Sequence, residues 1–335
     1  MPPRPGRRQF LTTGALGLFA LGAAGCSSPE AGRGQAAPGQ GDAWSFTDDA
    51  ERTVRLGRRP QRIVAYATAA AALWDYGIRP VGVYGALRKQ GGGKDVTVLG
   101  EVDLSRVATV GTTWGHISVE RLGRLHPDLV VDPLQYGAPQ IDPSSLKLTE
   151  KLAPVVSIEV YGAKVDTTVR RYADLAAAFG AGFTAQELRR GKAAYTAARD
   201  RVRRAITGKP GLRVLFASAD QDGIRISKAG FPSIADFESL GLNVVKPTGG
   251  STIYVEKLSW ELVDRYPADL ILLDVRSSSL QPADLSSNGL WRSLPAVRAG
   301  QLGPWNPEPN LSHHGMAKVY DSLTTTLTGA RPHIT

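Results

Sequence analysis

The sequence predicts an α/β protein: two Rossmann-like lobes with central parallel sheets, joined by one long α-helix. Three observations predict it. Apolar strand-like runs alternate with helical segments on both sides of the chain's midpoint, the arrangement of parallel sheets covered on both faces. One amphipathic helix, Thr184 to about Ile206, separates the halves. One short pattern recurs, Ser118-Val119-Glu120 before Pro127-Asp128-Leu129-Val130-Val131-Asp132, and Ser259-Trp260-Glu261 before Pro267-Ala268-Asp269-Leu270-Ile271-Leu272-Leu273-Asp274. The length of 335 residues fits about two domains. Hydrophobic residues at 42% and charged ones at 21% supply real cores.

Residues 1–25 read as a signal peptide. Arg7-Arg8-Gln9-Phe10-Leu11 is a twin-arginine (Tat export) pattern, and the apolar run to about Ala24 is too short and glycine-rich for a span of about 20 residues. The run ends on Leu21-Gly22-Ala23-Ala24-Gly25-Cys26, which resembles a bacterial lipobox whose cysteine is lipidated, with Ala23 where leucine is usual. Cys26 is the sole cysteine, so no internal disulfide forms. One acyl chain binds a membrane only marginally, and a lipoprotein carries two or three. Residues 26–43 form a flexible tether: from Ser27 on they are Ser, Pro, Gly, Ala and Gln with scattered charge and no apolar period. The expected location is extracytoplasmic, lipid-anchored to the outer face of the cytoplasmic membrane. Without the leader's three arginines the chain has 37 basic and 31 acidic residues, +6, which suits an anionic ligand or simply a solvated basic exterior. No basic run is interleaved with aromatics, so nucleic acid is not an expected partner.

The first lobe is expected over 44–183. Trp44 to Leu56 reads as an edge hairpin, Arg62–Tyr66 as a strand, Ala67–Tyr76 as an alanine-rich helix closed by Gly77, and Pro80–Tyr84 as the next strand. A glycine-rich loop with Arg88, Lys89 and Gly91-Gly92-Gly93 follows, then a strand at Val107–Val110. Ser118 caps a helix over Val119–Leu125, and Leu129–Asp132 and Val155–Ile158 are buried strands. Asp166 or Thr167 caps a helix with the stripe Val169, Tyr172, Ala176 and Phe179. Ligands of such sheets bind beyond the carboxyl ends of the strands. Tyr66, Tyr84, Arg88, Trp114, Tyr136 and Tyr161 fall there and are the candidate contacts, although some such aromatics serve only to pack neighbouring loops.

The linking helix occupies 184–207. Thr184 and Glu187 form a capping-box pair, and Leu188, Tyr195 and Val202 recur every seven residues with Gly191, Ala198 and Ala205 three positions after each, one narrow apolar stripe. Gly208, Pro210 and Gly211 stop it at a length of roughly 33 Å. The second lobe, 208–335, begins with strands Leu212–Ala217 and Gly223–Ile226, a helix Ser233–Leu240 and a short strand at Asn243–Val245. Thr248–Val255 reads as a polar loop and Ser259 to about Arg265 as a helix. Strand Leu270–Asp274 has Arg276 just past its end, and Leu302–Trp305 leads through a Pro/Asn loop to a closing helix, Gly315–Leu327. In the recurring pattern glutamate and aspartate stand eight residues apart both times. Glutamate near a helix start suits the dipole by only about 0.3–1 kcal/mol, but two placed alike suggest paired acidic points on one face.

With these residues in view, the chain resembles the iron–siderophore class of ABC-importer substrate-binding proteins. The likeness runs from about Trp44 to the end through "RIVA", "PVGVYG", "SVERLGRLHPDLVV", the long helix, "RVLFAS" and "LSWELVDRYPADLILL"; no single motif is specific, but their order is. The resemblance implies two lobes bridged by a rigid helix, a ligand in the cleft, and one glutamate per lobe that salt-bridges arginines of a permease dimer. Those map to Glu120 and Glu261, with Glu256 the lesser candidate for the second. It also implies a preformed ferric siderophore chelate as ligand, so no cofactor and no protein metal ligand, and a monomer. Arg88 and Arg276 would supply cations for a negative chelate, and Trp114, Tyr84, Tyr136 and Trp305 flat apolar surface.

A haem or cobalamin binder of the same importer class is the alternative, with His116 or a tyrosine as haem axial ligand. His126 precedes a proline, and the adjacent His313-His314 do not readily face one site. An exported hydrolase is the other class. The chain has no Gly-x-Ser-x-Gly elbow and no His-Glu-x-x-His helix, so no catalytic residue is assigned.

Overall fold

The computed structural model describes residues 43–89 and 91–335. Cys26, the leader and the tether to residue 42 lie outside the described residues. The elements run β1 (Trp44–Thr47), β2 (Thr53–Leu56), β3 (Ile63–Tyr66), α1 (Ala67–Asp75), β4 (Gly82–Tyr84), α2 (Val96–Leu99), β5 (Ala108–Thr109), α3 (Val119–Arg124), β6 (Leu129–Gln135), β7 (Ala138–Pro139), α4 (Pro143–Thr149), β8 (Val155–Tyr161) and α5 (Val165–Ala178). The long helix α6 (Ala185–Thr207) follows, then β9 (Val214–Ala219), β10 (Gly223–Ser227), α7 (Pro232–Ser239), β11 (Val255–Ser259), a 3-10 turn (Trp260–Leu262), β12 (Leu270–Asp274), α8 (Gly289–Ser293), α9 (Pro295–Arg298), β13 (Leu302–Trp305) and α10 (His313–Gly329).

Two separate sheets result. The first runs β5-β4-β3-β6 with β8 beyond β6, all parallel, while β7 pairs antiparallel with the far end of β6. Its central strands are largely apolar and rich in Val, Ile and Leu because both faces are covered; every residue of β3 is buried. The β1–β2 hairpin guards the outer edge: Asp48 Oδ2 accepts the Ser157 N–H at 3.1 Å and Asp49 Oδ2 the Glu159 N–H at 2.8 Å, occupying groups that an open edge would offer to another chain. The second sheet runs β11-β10-β9-β12-β13, with β9, β12 and β13 parallel and the β10 and β11 pairings antiparallel.

Helix α6 starts as its sequence dictates. Thr184 Oγ1 accepts the Glu187 N–H at 3.1 Å and Glu187 Oε2 accepts the Thr184 N–H at 2.6 Å, satisfying two donors of the first turn. Tyr195, Ala198 and Val202 of its stripe are buried. They pack on α10, with the Tyr195 ring 5.6 Å from Tyr320 and 5.5 Å from His313. Arg201 binds Asp321 of α10 at 2.6 Å and Arg199 binds Asp236 of α7 at 2.9 Å. One apolar core therefore passes from the first sheet through α6 and α10 to Phe216 and Leu272 of the second. The helix does not hold two detached bodies apart; its narrow stripe is covered by a second helix that also reaches α1, where His313 Nδ1 lies 2.6 Å from the Tyr76 hydroxyl. Thr184→Ala is expected to lower stability by about 1 kcal/mol, read as a lower urea midpoint at unchanged slope. An unmoved midpoint would make the cap redundant.

Three local expectations need correction. The segment expected as a helix from Ser259 is a 3-10 turn of three residues with no side-chain cap, because Val255–Ser259 is committed to strand β11 against β10. Helix α5 begins at Val165 with Lys164 at its N-cap, so Asp166 sits in the first turn rather than capping it. The recurring pattern is also only partly a helix pattern. Ser118 does cap α3, its Oγ accepting from the Arg121 N–H at 3.4 Å. What the two halves share is the aspartate: Asp128 accepts the N–H groups of Gln61 and Arg62 at 2.8 and 2.9 Å, and Asp269 that of Arg213 at 2.8 Å. Each carboxylate fixes the entry of the neighbouring strand, β3 or β9. Among the described residues no helix is long and apolar enough to cross a membrane.

Candidate functional site in the interlobe cleft

The carboxyl ends of the first sheet's strands face the second lobe. From the first lobe, Tyr66, Thr68, Pro133, Gln140, Val160 and Tyr161 line one wall of a cavity; Pro232 and Ser233 at the start of α7, and the loop of Pro307, Glu308, Pro309 and Leu311 before α10, line the other. The free space is only about 20 Å³, room for roughly one water. The lobes touch directly around it. Gln135 Nε2 donates to Tyr254 Oη at 2.6 Å, Tyr136 Oη donates to the Gly230 carbonyl at 3.0 Å, and Asn306 Nδ2 donates to the Thr97 carbonyl at 2.6 Å. Tyr161, Tyr254 and Phe231 form an aromatic cluster across the seam, with centroids 5.4 to 6.4 Å apart. A larger hollow of about 510 Å³ continues the seam past Pro232 toward α6, between the start of α5 and α7, and Tyr136, Lys164 and Arg199 are among its walls.

Arg276 stands two residues past the end of β12. Its Nε and Nη2 bind Asp274 at 3.1 and 2.8 Å, and its Nη1 lies 3.2 Å from Glu308 Oε1. Burial alone would lower the guanidinium pKa, but Asp274 and Glu308 more than offset it and hold it above the ordinary arginine value. Burial raises the Glu308 pKa, with Arg276 opposing. Burial likewise pushes the phenols of Tyr66 and Tyr161 well above the ordinary tyrosine value, so both stay neutral O–H groups.

Of the residues singled out in the sequence, Tyr66 and Tyr161 line the cavity, and Arg276 reaches it through Glu308. Tyr84 does not. It is fully buried, its hydroxyl donating to Asp132 Oδ1 at 2.6 Å and its ring packed edge-on beside its register partner Tyr66, which is the one of the two that lines the cavity. Burial pushes Asp132 up to about 6, against the opposing bonds from Tyr84, Ile141 and Gln140. Trp305 is a second correction: it is buried behind the wall, packed edge-on against Phe231 and Phe216, with its Nε1–H donating to Ser233 Oγ at 3.2 Å. Trp114 and Tyr136 are exposed, 57% and 48%, and Arg88 is exposed on its loop; none of the three lines the cavity. His116, the candidate haem ligand, is exposed outside it too. The sequence reading missed Glu308, Tyr254, Phe231 and Gln140. The one available signal was Pro307-Glu308-Pro309, an acidic residue held between two stiff ones beyond a strand end.

Glu120 projects from the first turn of α3, 75% exposed, touching only Arg124. Glu261 is exposed in the first turn of the 3-10 segment. Glu256 is no surface point. It is buried, accepting from the Gly249 N–H at 2.7 Å and the Tyr266 hydroxyl at 2.8 Å and pairing with Arg265 at 3.4 Å. A Cβ at Gly249 would come within 2.4 Å of its Oε1, so any larger residue there would have to displace the carboxylate. Among the described residues no group of three or more His, Cys, Asp or Glu is placed to hold a metal ion.

Comparison with known proteins agrees with this geometry. The family model "Periplasmic binding protein" matches residues 65–309. No curated protein matches the chain. Among solved structures, DesE, a ferric-siderophore receptor protein from Streptomyces coelicolor, is 36% identical over 86% of this chain and 99% of its own, with a TM-score of 0.81. The iron-uptake ABC transporter substrate-binding protein PiuA from Streptococcus pneumoniae shares the fold at 17% identity, covering 85% and 98%, with a TM-score of 0.65. The siderophore-binding protein FhuD from Vibrio cholerae, solved with Fe3+-Desferal, does so at 18%, covering 81% and 99%, with a TM-score of 0.57. The chain belongs to the periplasmic binding protein family.

Proposed function

We propose that this chain is the extracytoplasmic substrate-binding component of an ABC importer, capturing a preformed ferric siderophore and delivering it to a membrane permease. The observation that carries the reading is the cleft itself: strand ends of one lobe face loops of the other, lined by phenols, prolines and one carboxylate backed by Arg276, in a chain 36% identical to a ferric-siderophore receptor. Such a lining suits a ligand whose metal is already wrapped by its own oxygens. The phenol O–H groups of Tyr66 and Tyr161 donate to chelate oxygens, and Pro133, Pro232 and Val160 give apolar surface. The protein binds and releases; it performs no catalysis. Lipidation at Cys26 after twin-arginine export keeps it at the outer face of the membrane, and Glu120 and Glu261 meet the permease.

Pockets for drug-sized ligands take about 300–1,000 Å³, far above the 20 Å³ between Tyr66, Tyr161 and Glu308, while the adjoining hollow of about 510 Å³ lies off to one side of these groups. Entry therefore breaks the Gln135–Tyr254, Tyr136–Gly230 and Asn306–Thr97 bonds. At about 1 kcal/mol each these are weak against the roughly 8 kcal/mol of a micromolar ligand, so the seam opens readily. Titration of the protein against a panel of ferric siderophores, haem and cobalamin, followed by tryptophan quenching, tests the reading. A saturable response at micromolar or tighter affinity is expected for at least one ferric siderophore. Saturation only by haem or cobalamin would replace the ligand, and turnover of an ester or peptide would replace the class.

A further inference from the structure

We infer that the cleft selects its ferric chelate by overall charge, taking a neutral or positively charged complex and rejecting an anionic one, with Glu308 as the residue that sets the preference. This rests on the siderophore reading above and specifies the class of chelate. The side chains that line the cavity include one carboxylate, Glu308, and no lysine or arginine. The nearest cation, Arg276, is bound through Nε and Nη2 to Asp274 and through Nη1 to Glu308, and Asp274 is itself buried. Arg276 is thus matched by two carboxylates, leaving no spare positive charge in the cluster. Asp95, whose Oδ2 lies 3.5 Å from the Ser277 hydroxyl beside Arg276, is a further carboxylate close by.

The other basic groups near the seam are directed elsewhere, including Lys228, whose Nζ donates to the carbonyls of Gly249 and Thr252. Arg88 is exposed on its loop, bridged through its backbone to Lys94, and Lys94 lines a different groove with Asp75, Glu101 and Lys318. Arg199 and Lys164 line the hollow beyond Pro232, where Arg199 is bound to Asp236. The sequence had suggested Arg88 and Arg276 as counter-charges for a negative chelate; in the structure one is outside the cavity and the other is neutralised by two carboxylates. An anionic complex entering this buried space meets Glu308 and finds no free cation, because Arg276 is already bonded to two carboxylates, and like charges repel more there than in bulk water. A chelate bearing an ammonium group meets a partner for it.

The experiment titrates the full protein, at fixed ionic strength, with four probes: a ferric trihydroxamate bearing a free ammonium, an uncharged ferric trihydroxamate, a ferric tricatecholate of charge −3, and an anionic ferric hydroxycarboxylate complex. The cationic and neutral complexes are expected to bind at least about 100-fold more tightly than the tricatecholate. In Glu308→Gln, which keeps the side-chain shape and an acceptor for Arg276, that ratio is expected to shrink by about 10-fold, with the cationic complex losing most. Added salt weakens the cationic complex and not the neutral one. Anionic complexes binding as tightly as the others, or an unchanged ratio in a folded Glu308→Gln, would overturn the inference and leave the siderophore reading standing. If none of the four complexes bound, that reading would fall with it. Should Glu308→Gln not fold, the wild-type ratio and its salt dependence still decide.

Discussion

Replacing Glu120 and Glu261 together by alanine is expected to leave ligand affinity within about twofold of wild type and to abolish import. Neither side chain lines the cavity, and Glu120 touches only Arg124, an exposed pair of the kind worth about 0–1 kcal/mol. Fold and cleft should therefore survive. At a permease surface the same carboxylates would be desolvated against arginines, and truncating one member of such a pair removes about 2–5 kcal/mol. Two lost together weaken docking by roughly a thousandfold or more. Uptake of labelled ferric chelate by cells carrying the double variant, beside titration of the purified protein, reads the two effects separately. Loss of binding in the purified variant would place these glutamates in the ligand site. Unimpaired uptake would remove them from the permease interface.

Asp236→Ala is expected to be among the most destabilising single changes. The carboxylate is 8% exposed; its Oδ1 accepts from Arg199 Nη2 at 2.9 Å and its Oδ2 from the Tyr320 hydroxyl at 2.7 Å, joining α7, α6 and α10 at one point. Burial lowers the Arg199 pKa, and Asp236 more than reverses that. Without Asp236 a partly buried guanidinium and a buried phenol lose their partner, a loss of about 3–5 kcal/mol. Replacing the whole set, Arg199→Met with Asp236→Leu and Tyr320→Phe, is expected to be milder than Asp236→Ala alone, because no orphaned charge remains. Urea unfolding of the two variants gives the comparison. A loss under 1 kcal/mol for Asp236→Ala would mean that the junction rests on its apolar contacts alone.

What could be read in advance follows from how strongly each segment is constrained by its neighbours along the chain. β3, β6, β8 and β12 were legible because strands buried on both faces carry short Val, Ile and Leu clusters, Ile63-Val64, Leu129-Val130-Val131, Val155-Val156 and Leu270-Ile271-Leu272-Leu273. The start of α6 was legible because Thr184 and Glu187 carry a local hydrogen-bond pattern that needs no tertiary partner. β11 was not, since Val255-Glu256-Lys257-Leu258-Ser259 alternates between buried and exposed and becomes a strand only when β10 supplies its partner. α4 begins on a recognisable Asp142-Pro143 start, yet its apolar face is too thin to announce a helix.

The site was legible at the level of strand ends and not of side chains. Tyr66 and Tyr84 look equivalent in sequence; they pair side by side in register, but Tyr84 turns its hydroxyl to buried Asp132 and only Tyr66 meets the cleft. Arg276 looks like a free cation until Asp274 and Glu308 are placed against it. Glu308 and Tyr254 sit in segments with no periodicity, and their position depends on how the second lobe closes on the first.

The central claim, that a bulky preformed ferric complex rests between the two lobes, is tested most directly by backbone hydrogen–deuterium exchange with and without a saturating ferric siderophore. Protection is expected in both walls at once, in the segments around Tyr66, 133–140 and 160–162 of the first lobe and 230–233, Tyr254 and 306–311 of the second. Protection limited to one lobe, or arising only away from these strand-end loops, would contradict it.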